Sequence, residues 1–434
     1  MKLRPFELAL ALGFGLLGLL AIGLLAGYRP SPSDTSLGFN GAVTVWGTQD
    51  AGAFRRTLEP YIKRDEAYQA IRYVEKSPQT INSELLNALA ENRGPDLILL
   101  PHEDLVSQRS KLQPIPYENF PLRDFRNLYI EGTEIFLMQD GVYAYPVAID
   151  PLVMYWNRDL MTTRNVLVPP RTWEEVVNTT VPTFVQRDFN RAISLSPIAF
   201  GEYRNVNHAF AILSLLLIQG GSSLVVEQSA GFYKLQLNQT VAGTRPPLEA
   251  ALAFFTSFST PSSPLYSWNR ALPLDVDEFV AGDLVLYFGK GSEARTLSAR
   301  NPNLNIDIAE VPQGANASLR RTYGTFYGWA LLRNAQNKQG AFLTLQLLGS
   351  EAFASTFATE LGLAPAHRQA LLAGSNDLYG RIVYSSAVVA RAWWNPSLES
   401  VDTIFTQMVE DVLAGRQPSS EAAGDAIGRL QQQY

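Results

Sequence analysis

Short apolar runs alternate with amphipathic stretches along most of the chain. Ala42-Val-Thr-Val-Trp46, Ile71 to Glu75 and Leu97-Ile-Leu-Leu100 read as strands. Between them Phe54, Leu58, Tyr61 and Ile62 recur at helical spacing, as do Ile81, Leu85, Leu86 and Leu89. Strand, helix, strand, helix, strand predicts an α/β fold with a parallel sheet and right-handed crossovers. Next, Val142 to Ile149 and Leu152 to Trp156 flank Asp150-Pro151. Pro146 and Pro151 each lack a backbone donor, so two interrupted extended segments are expected here rather than one central strand. Pro169-Pro170 stiffens the backbone before Thr172-x-x-Glu175, a capping box that opens a helix.

The pattern continues with a strand from Ala192 to Ala199 and a buried helix from His208 to Gln219, ended by Gly220-Gly221. Phe232 to Leu237 reads as one arm of a hairpin and Leu248 to Phe258 as a helix. Leu284 to Phe288, Ile306 to Val311 and Tyr323 to Leu332 read as strands. Helices are expected over Gln339 to Leu348, Ser350 to Thr359 and Ile404 to Leu413, with a last one at the C-terminus.

The N-terminus differs from all of this. Lys2 and Arg4 precede an uncharged apolar run from Leu8 to Gly27, about the length needed to cross a bilayer. Positive charge before the run predicts a cytoplasmic N-terminus and an exported remainder. The run is longer than the apolar part of a cleaved signal and lacks an Ala-x-Ala site, so residues 1–27 are expected to be a transmembrane anchor, with a cleaved signal as the alternative. Residues 28–40, rich in Pro, Ser and Gly, read as a spacer.

Composition adds mostly exclusions. With 46% hydrophobic and 18% charged residues over 434, the chain can bury a large core. Its formal charge of -6 argues against nucleic acid. Without cysteine there is no disulfide, zinc-thiolate site or thiol nucleophile. The three histidines (His102, His208, His367) lack metal-ligand spacing, and no Gly-x-Ser-x-Gly or His-Glu-x-x-His motif occurs. Neither catalysis nor a metal or other cofactor is therefore expected.

Binding chemistry is better supplied. Ligands of open α/β sheets sit beyond the carboxyl ends of the strands, here Trp46 to Asp50 and His102 to Asp104. Sugars offer apolar ring faces and hydroxyl edges, which aromatic rings and carboxylates or amides match. Trp46, Tyr203, Trp393 and Trp394 are candidates for faces, and Gln49, Asp50, Glu103 and Asp150 for edges. Three carboxylates in one cleft leave a cationic polyamine open as another ligand.

Gly141-Val-Tyr-Ala-Tyr-Pro146, Tyr155-Trp-Asn-Arg-Asp-Leu160 and Pro170-Arg-Thr-Trp-Glu-Glu175 together resemble the family 1 extracellular solute-binding proteins of ABC importers, the group that includes the maltose-binding protein. The resemblance implies a two-lobed periplasmic-binding-protein-like fold, each lobe a mostly parallel sheet flanked by helices. One lobe would hold residues 41–149 and 326–374, the other 150–325 and 375–434. Hinges would lie near Ile149-Asp150, Thr325-Phe326 and residues 374–378. In family terms Asp150 matches a sugar-binding carboxylate, and Trp393 and Trp394 an aromatic pair that stacks on sugar. Lys290, in the loop Gly289-Lys-Gly-Ser292, stands where members often carry a tryptophan. The implied function is that of an extracytoplasmic substrate-binding protein, closing over a small solute (a sugar or oligosaccharide above all) and delivering it to a permease. A surface-tethered sensor or adhesin on the same fold is the alternative.

Overall fold

A computed structural model describes residues 41–190, 192–221, 224–239 and 245–434. The expected anchor and spacer lie outside these residues. Among the described residues no helix is long and apolar enough to cross a membrane.

The first five elements follow the expected alternation: β1 (Val43–Gly47), α1 (Ala51–Ile62), β2 (Ile71–Glu75), α2 (Ile81–Ala90) and β3 (Leu97–Pro101). β1 lies between β2 and β3, parallel to both. α1 starts where Asp50 caps it, the carboxylate accepting from Gly52 and Ala53 N–H at 3.1 and 2.7 Å. Its apolar stripe, Phe54 and Leu58, is buried.

The two prolines do not interrupt the next strand. β4 runs unbroken from Tyr145 to Asn157, is buried over almost its whole length, and lies in the middle of the sheet. The sheet accommodates both missing donors. Pro146 pairs with Gly328 where the register shifts. Pro151 falls between two partner strands, since Ala364–Pro365 covers residues 148–149 and another strand takes over at Leu152.

Beyond β4 come β5 (Ile193–Ile198), α3 (Ala209–Gln219), β6 (Val225–Ser229), β7 (Phe232–Leu235) and α4 (Pro247–Ser257). α5 (Asp275–Ala281) follows, and Gly282, at φ 93°, ends it. β8 (Leu284–Lys290), β9 (Ile306–Ala309) and β10 (Thr322–Leu331) follow. The chain closes with α6 (Lys338–Leu348), α7 (Glu351–Glu360), α8 (Leu378–Val389), α9 (Leu398–Leu413) and α10 (Ser419–Gln431).

The main sheet runs in the order β2-β1-β3-β10-β4-β8-β5, with Gln186–Arg187 at the far edge and β9 beside β4, while β6 and β7 form a separate hairpin. The β2-β1-β3 half is parallel, as expected. The other half is mixed: β8 runs parallel to β5, but β8 and β9 are both antiparallel to β4. The long antiparallel pair β4 and β10 is shared by both halves, and this forces the mixture. Asp150 pairs with Thr325, and Ile149 with Phe326, so the two chain crossings lie side by side. α6 and α7 pack on the first half, whereas α3, α4, α9 and α10 pack together on the second.

Candidate functional site

β3 ends at Pro101, and the His102 ring takes over the pairing that the strand gives up. Its Nδ1 accepts from Phe326 N–H at 3.2 Å. That turn buries Glu103, which is only 6% exposed. Glu103 Oε1 accepts from the Tyr323 and Thr325 hydroxyls, both at 2.7 Å. Oε2 lies 3.0 Å from His102 Nδ1. Burial alone would raise this carboxyl. The His102 ring, the Lys290 ammonium and the Tyr323 hydroxyl outweigh that and hold it down at about 2.

Across β4, Asp150 is just as enclosed. Its oxygens accept from Ser292 N–H at 3.0 Å and Ser292 Oγ at 2.7 Å. Burial raises its pKa, and Lys290 and Ser292 offset only part of that. Lys290, at the end of β8, is itself held protonated: burial opposes its charge, but Tyr327, Glu103, Asp150 and Glu293 outweigh it. Glu293 accepts from the Tyr287 hydroxyl at 2.7 Å and lies 2.6 Å from His208 Nε2.

Glu103 and Lys290 border a cavity of about 410 Å³ between the two halves of the molecule. The turn after β3 contributes Glu103, β10 contributes Tyr323 and Thr325, and β8 contributes Lys290. The start of α3 supplies His208 and Phe210, and α9 supplies Asp402. Tyr203 closes one side, its hydroxyl donating to Asp402 Oδ1 at 2.6 Å. Gly201, at φ 104°, makes the turn that sets Tyr203, and a Cβ there would collide with Ser259. Among the described residues no group of three acidic or imidazole side chains is placed to hold a metal ion.

Of the candidates from sequence, Glu103, Tyr203 and Lys290 line this cavity, and Asp150 sits directly behind Lys290. Gln49 bonds the Tyr327 hydroxyl, itself close to Lys290, and its backbone bonds the Tyr73 hydroxyl. The other four are occupied elsewhere. Asp50 is the exposed cap of α1. Trp46 is buried, with the Lys76 ammonium 4.0 Å above its ring. Trp393 is 3% exposed and donates to Ser214 Oγ at 3.0 Å. Trp394 donates to the Ile135 carbonyl at 2.7 Å. Both tryptophans border a separate concavity with Ile135, Arg321 and Arg391.

Several lining residues escaped sequence reasoning: Asn207, His208, Phe210, Thr406 and Asp402.

A cavity of about 640 Å³ is a different feature. It adjoins a buried contact between the two halves centred on Arg109. Nη1 meets Glu227 Oε1 at 2.6 Å and the Tyr233 hydroxyl at 3.0 Å, and Nη2 meets Asp140 Oδ1 at 2.9 Å. Glu227 also accepts from Gly231 and Gln139 N–H. Arg109, Tyr143, Asp140, Glu227 and Tyr233 are all partnered with one another there, so the contact reads as a structural clasp.

No family model matches the chain. A Brucella abortus (strain 2308) protein, named only provisionally as a binding protein, is 21% identical over 261 residues, 58% of this chain and 58% of its own length. The chain thus matches less than two thirds of that relative. Among solved structures, a cyclo/maltodextrin-binding protein complexed with maltotetraose superimposes with TM-score 0.72 at 16% identity, over 92% of this chain and 98% of its own. The maltose/maltodextrin-binding domain of Bdellovibrio bacteriovorus bound to maltotriose gives 0.65 at 16% identity, over 90% and 99%. An ABC transporter solute-binding protein of Thermotoga lettingae bound with α-D-tagatose gives 0.64 at 17%, over 91% and 100%. Across almost its whole described length, the chain shares the two-lobed α/β fold of these sugar- and solute-binding proteins.

Proposed function

We propose that the protein is the extracytoplasmic substrate-binding protein of an ABC transporter. It takes a small solute of the sugar or oligosaccharide class between its lobes and delivers it to a permease. The observation that carries this reading is the composition of the 410 Å³ cavity: Glu103 comes from one lobe, Lys290, His208 and Asp402 from the other, and Tyr323 and Thr325 from the strand that joins them. A guest touching all three favours the closed arrangement over the open one, and closure is what a transporter reads. Asp150 and Thr325, paired across β4 and β10, form the base on which the lobes turn. The lobes comprise residues 41–149 with 326–374 and 150–325 with 375–434. The role is binding, not catalysis. The apolar run of residues 8–27 serves as the membrane anchor in this reading.

Thermal shift of the purified protein against a broad panel of mono- and oligosaccharides tests the proposal. A true ligand at a hundred times its dissociation constant stabilises the fold by about 2.7 kcal/mol. Silence across the panel from a folded sample would remove the receptor reading.

A further inference from the structure

We infer that Lys290 sets the specificity of the cleft: its ammonium donates to an acceptor oxygen of an uncharged polyhydroxy guest, and the same charge turns cationic solutes away. This rests on the receptor reading and deepens it at one residue.

Three side chains that can carry positive charge line the cavity: Arg204, His208 and Lys290. Two are engaged. Arg204 is 73% exposed at its side chain and pairs with Glu410, and His208 Nε2 lies 2.6 Å from Glu293 Oε1. Lys290 differs. Among the described residues its Nζ has no hydrogen-bond acceptor and no ion-pair partner. The acids around it act at longer range: Glu103, Asp150 and Glu293 favour its charge, as does Tyr327, yet each carboxylate is bonded elsewhere. Glu103 Oε1 takes the Tyr323 and Thr325 hydroxyls, Asp150 takes Ser292, and Glu293 takes the Tyr287 hydroxyl beside His208. Lys290 thus combines a balanced charge with three N–H groups that the fold does not use.

The backbone that carries it is fixed. Lys290 pairs with Leu152 of β4, and its carbonyl accepts from the Tyr155 hydroxyl at 2.8 Å. The glycines on either side pack closely. A Cβ at Gly289 would lie 2.5 Å from the Tyr287 ring, and one at Gly291 2.9 Å from Val383. The ammonium is therefore presented from a rigid strand end, at the junction where Glu103 and Tyr327 of the other lobe approach it.

Water serves those N–H groups while the cleft is open. Closure removes the water, and a donor left bare in a poorly hydrated setting is costly. A hydroxyl or ring oxygen of the guest restores the bond without importing charge. A guest carboxylate would face Glu103, Asp150 and Glu293, which already balance the ammonium. A guest ammonium offers Lys290 no acceptor and repels it.

Titration calorimetry of the purified full chain tests this with maltotriose, mannotriose and tagatose as neutral probes, spermidine as the cation and glucuronate as the acid. The wild type should bind a neutral probe and neither charged one. Lys290→Met, which keeps the length but loses charge and donors, should weaken that sugar at least about tenfold, the scale of a hydrogen bond to a charged group. The same variant leaves Glu103 and Asp150 unbalanced, so it should gain affinity for spermidine. A second readout needs no variant. Saturating sugar should suppress acetylation of Lys290 in the wild type and leave that of Lys63, 72% exposed at its side chain, unchanged, as read by peptide mass spectrometry. Unchanged sugar affinity in Lys290→Met, or acetylation of Lys290 that sugar does not slow, overturns the inference and leaves the receptor reading standing. Binding of spermidine or glucuronate by the wild type also overturns it. Silence from all three sugars sinks it too, and silence across the broader panel then removes the receptor reading as well.

Discussion

Arg109 gives the sharpest test of how the lobes are held together. Its side chain is 11% exposed and that of Glu227 4%, so the pair lies in a poorly hydrated setting. Arg109→Ala removes the 2.6 Å contact to Glu227, the bond to Tyr233 and the 3.0 Å bond from Nε to Tyr143. Stranding one member of a buried ion pair costs about 3–5 kcal/mol. Glu227 keeps two backbone donors, Gly231 at 3.0 Å and Gln139 at 2.9 Å, which puts the expected loss at the lower end, about 3 kcal/mol. Asp140, 39% exposed, regains water and adds only about 0–1 kcal/mol. Glu227→Gln should cost less, because Arg109 retains Asp140. The double variant removes the buried charge altogether, so its loss should fall short of the sum of the singles by about 1–3 kcal/mol. Urea unfolding followed by fluorescence and circular dichroism measures all four proteins, and coincident curves validate the free energies. A loss below about 1 kcal/mol for Arg109→Ala, or coupling below about 0.5 kcal/mol, would refute the buried-clasp reasoning.

Other consequences follow from the same structure. Asp50→Ala removes the α1 cap and should cost about 0.5–2 kcal/mol in urea unfolding with ligand affinity unchanged; a specific affinity loss would move Asp50 into the site. Asp275, almost wholly buried, has its pKa pushed up to about 7 by burial, its bonds to Asn207 and Val276 N–H only partly opposing this. The folded state therefore holds a proton that the unfolded chain releases near pH 4, so this group's stabilisation is full below that pH and is lost as pH rises towards 7. The slope should be on the order of 1 kcal/mol per unit. Asp275→Asn, keeping the acceptor, should flatten thermal stability between pH 4 and 7; an unchanged profile would clear Asp275 of that role. Trp393→Phe should lower stability by about 1–3 kcal/mol through the lost volume and the stranded Ser214 hydroxyl, with sugar affinity unaltered by titration. Asp150→Asn should weaken ligand binding at least about tenfold with a smaller effect on melting, and equal losses would make Asp150 purely structural.

Much of this was legible from the chain because it lay in local patterns. Ile71–Glu75 is a strand with the bounds that its apolar run suggests. The Thr172 cap forms too, its Oγ1 accepting from Glu175 N–H at 3.1 Å. Only the return bond differs: Glu175 reaches Arg171 N–H, one residue before the cap. β4 shows where local rules stop. A proline excludes a strand position only if a neighbour needs the missing donor, and Pro151 sits in a gap between partners that no sequence window displays. α5 went unread in the chain, because its first turn, Asp275, Asp277 and Glu278, carries acids that suit a helix N-terminus as well as a turn.

The site follows the same division. Residue type pointed to rings and acids, but a type does not say which demand is met first. Asp50 answers the backbone N–H groups of the helix behind it, and Trp393 and Trp394 each answer a polar group inside the fold. An indole brings a large apolar surface and one N–H, and both are satisfied more cheaply by a core than by a cleft that must also stand open to water. Asp402 meets the opposite condition. It projects from a helix whose other face is packed, and among the described residues its one hydrogen bond is to a tyrosine hydroxyl and it forms no ion pair, so its remaining demand is met by solvent or by a guest. Whether a polar side chain is left with an incomplete interaction is therefore set by contacts between segments some two hundred residues apart, such as Tyr203 and Asp402.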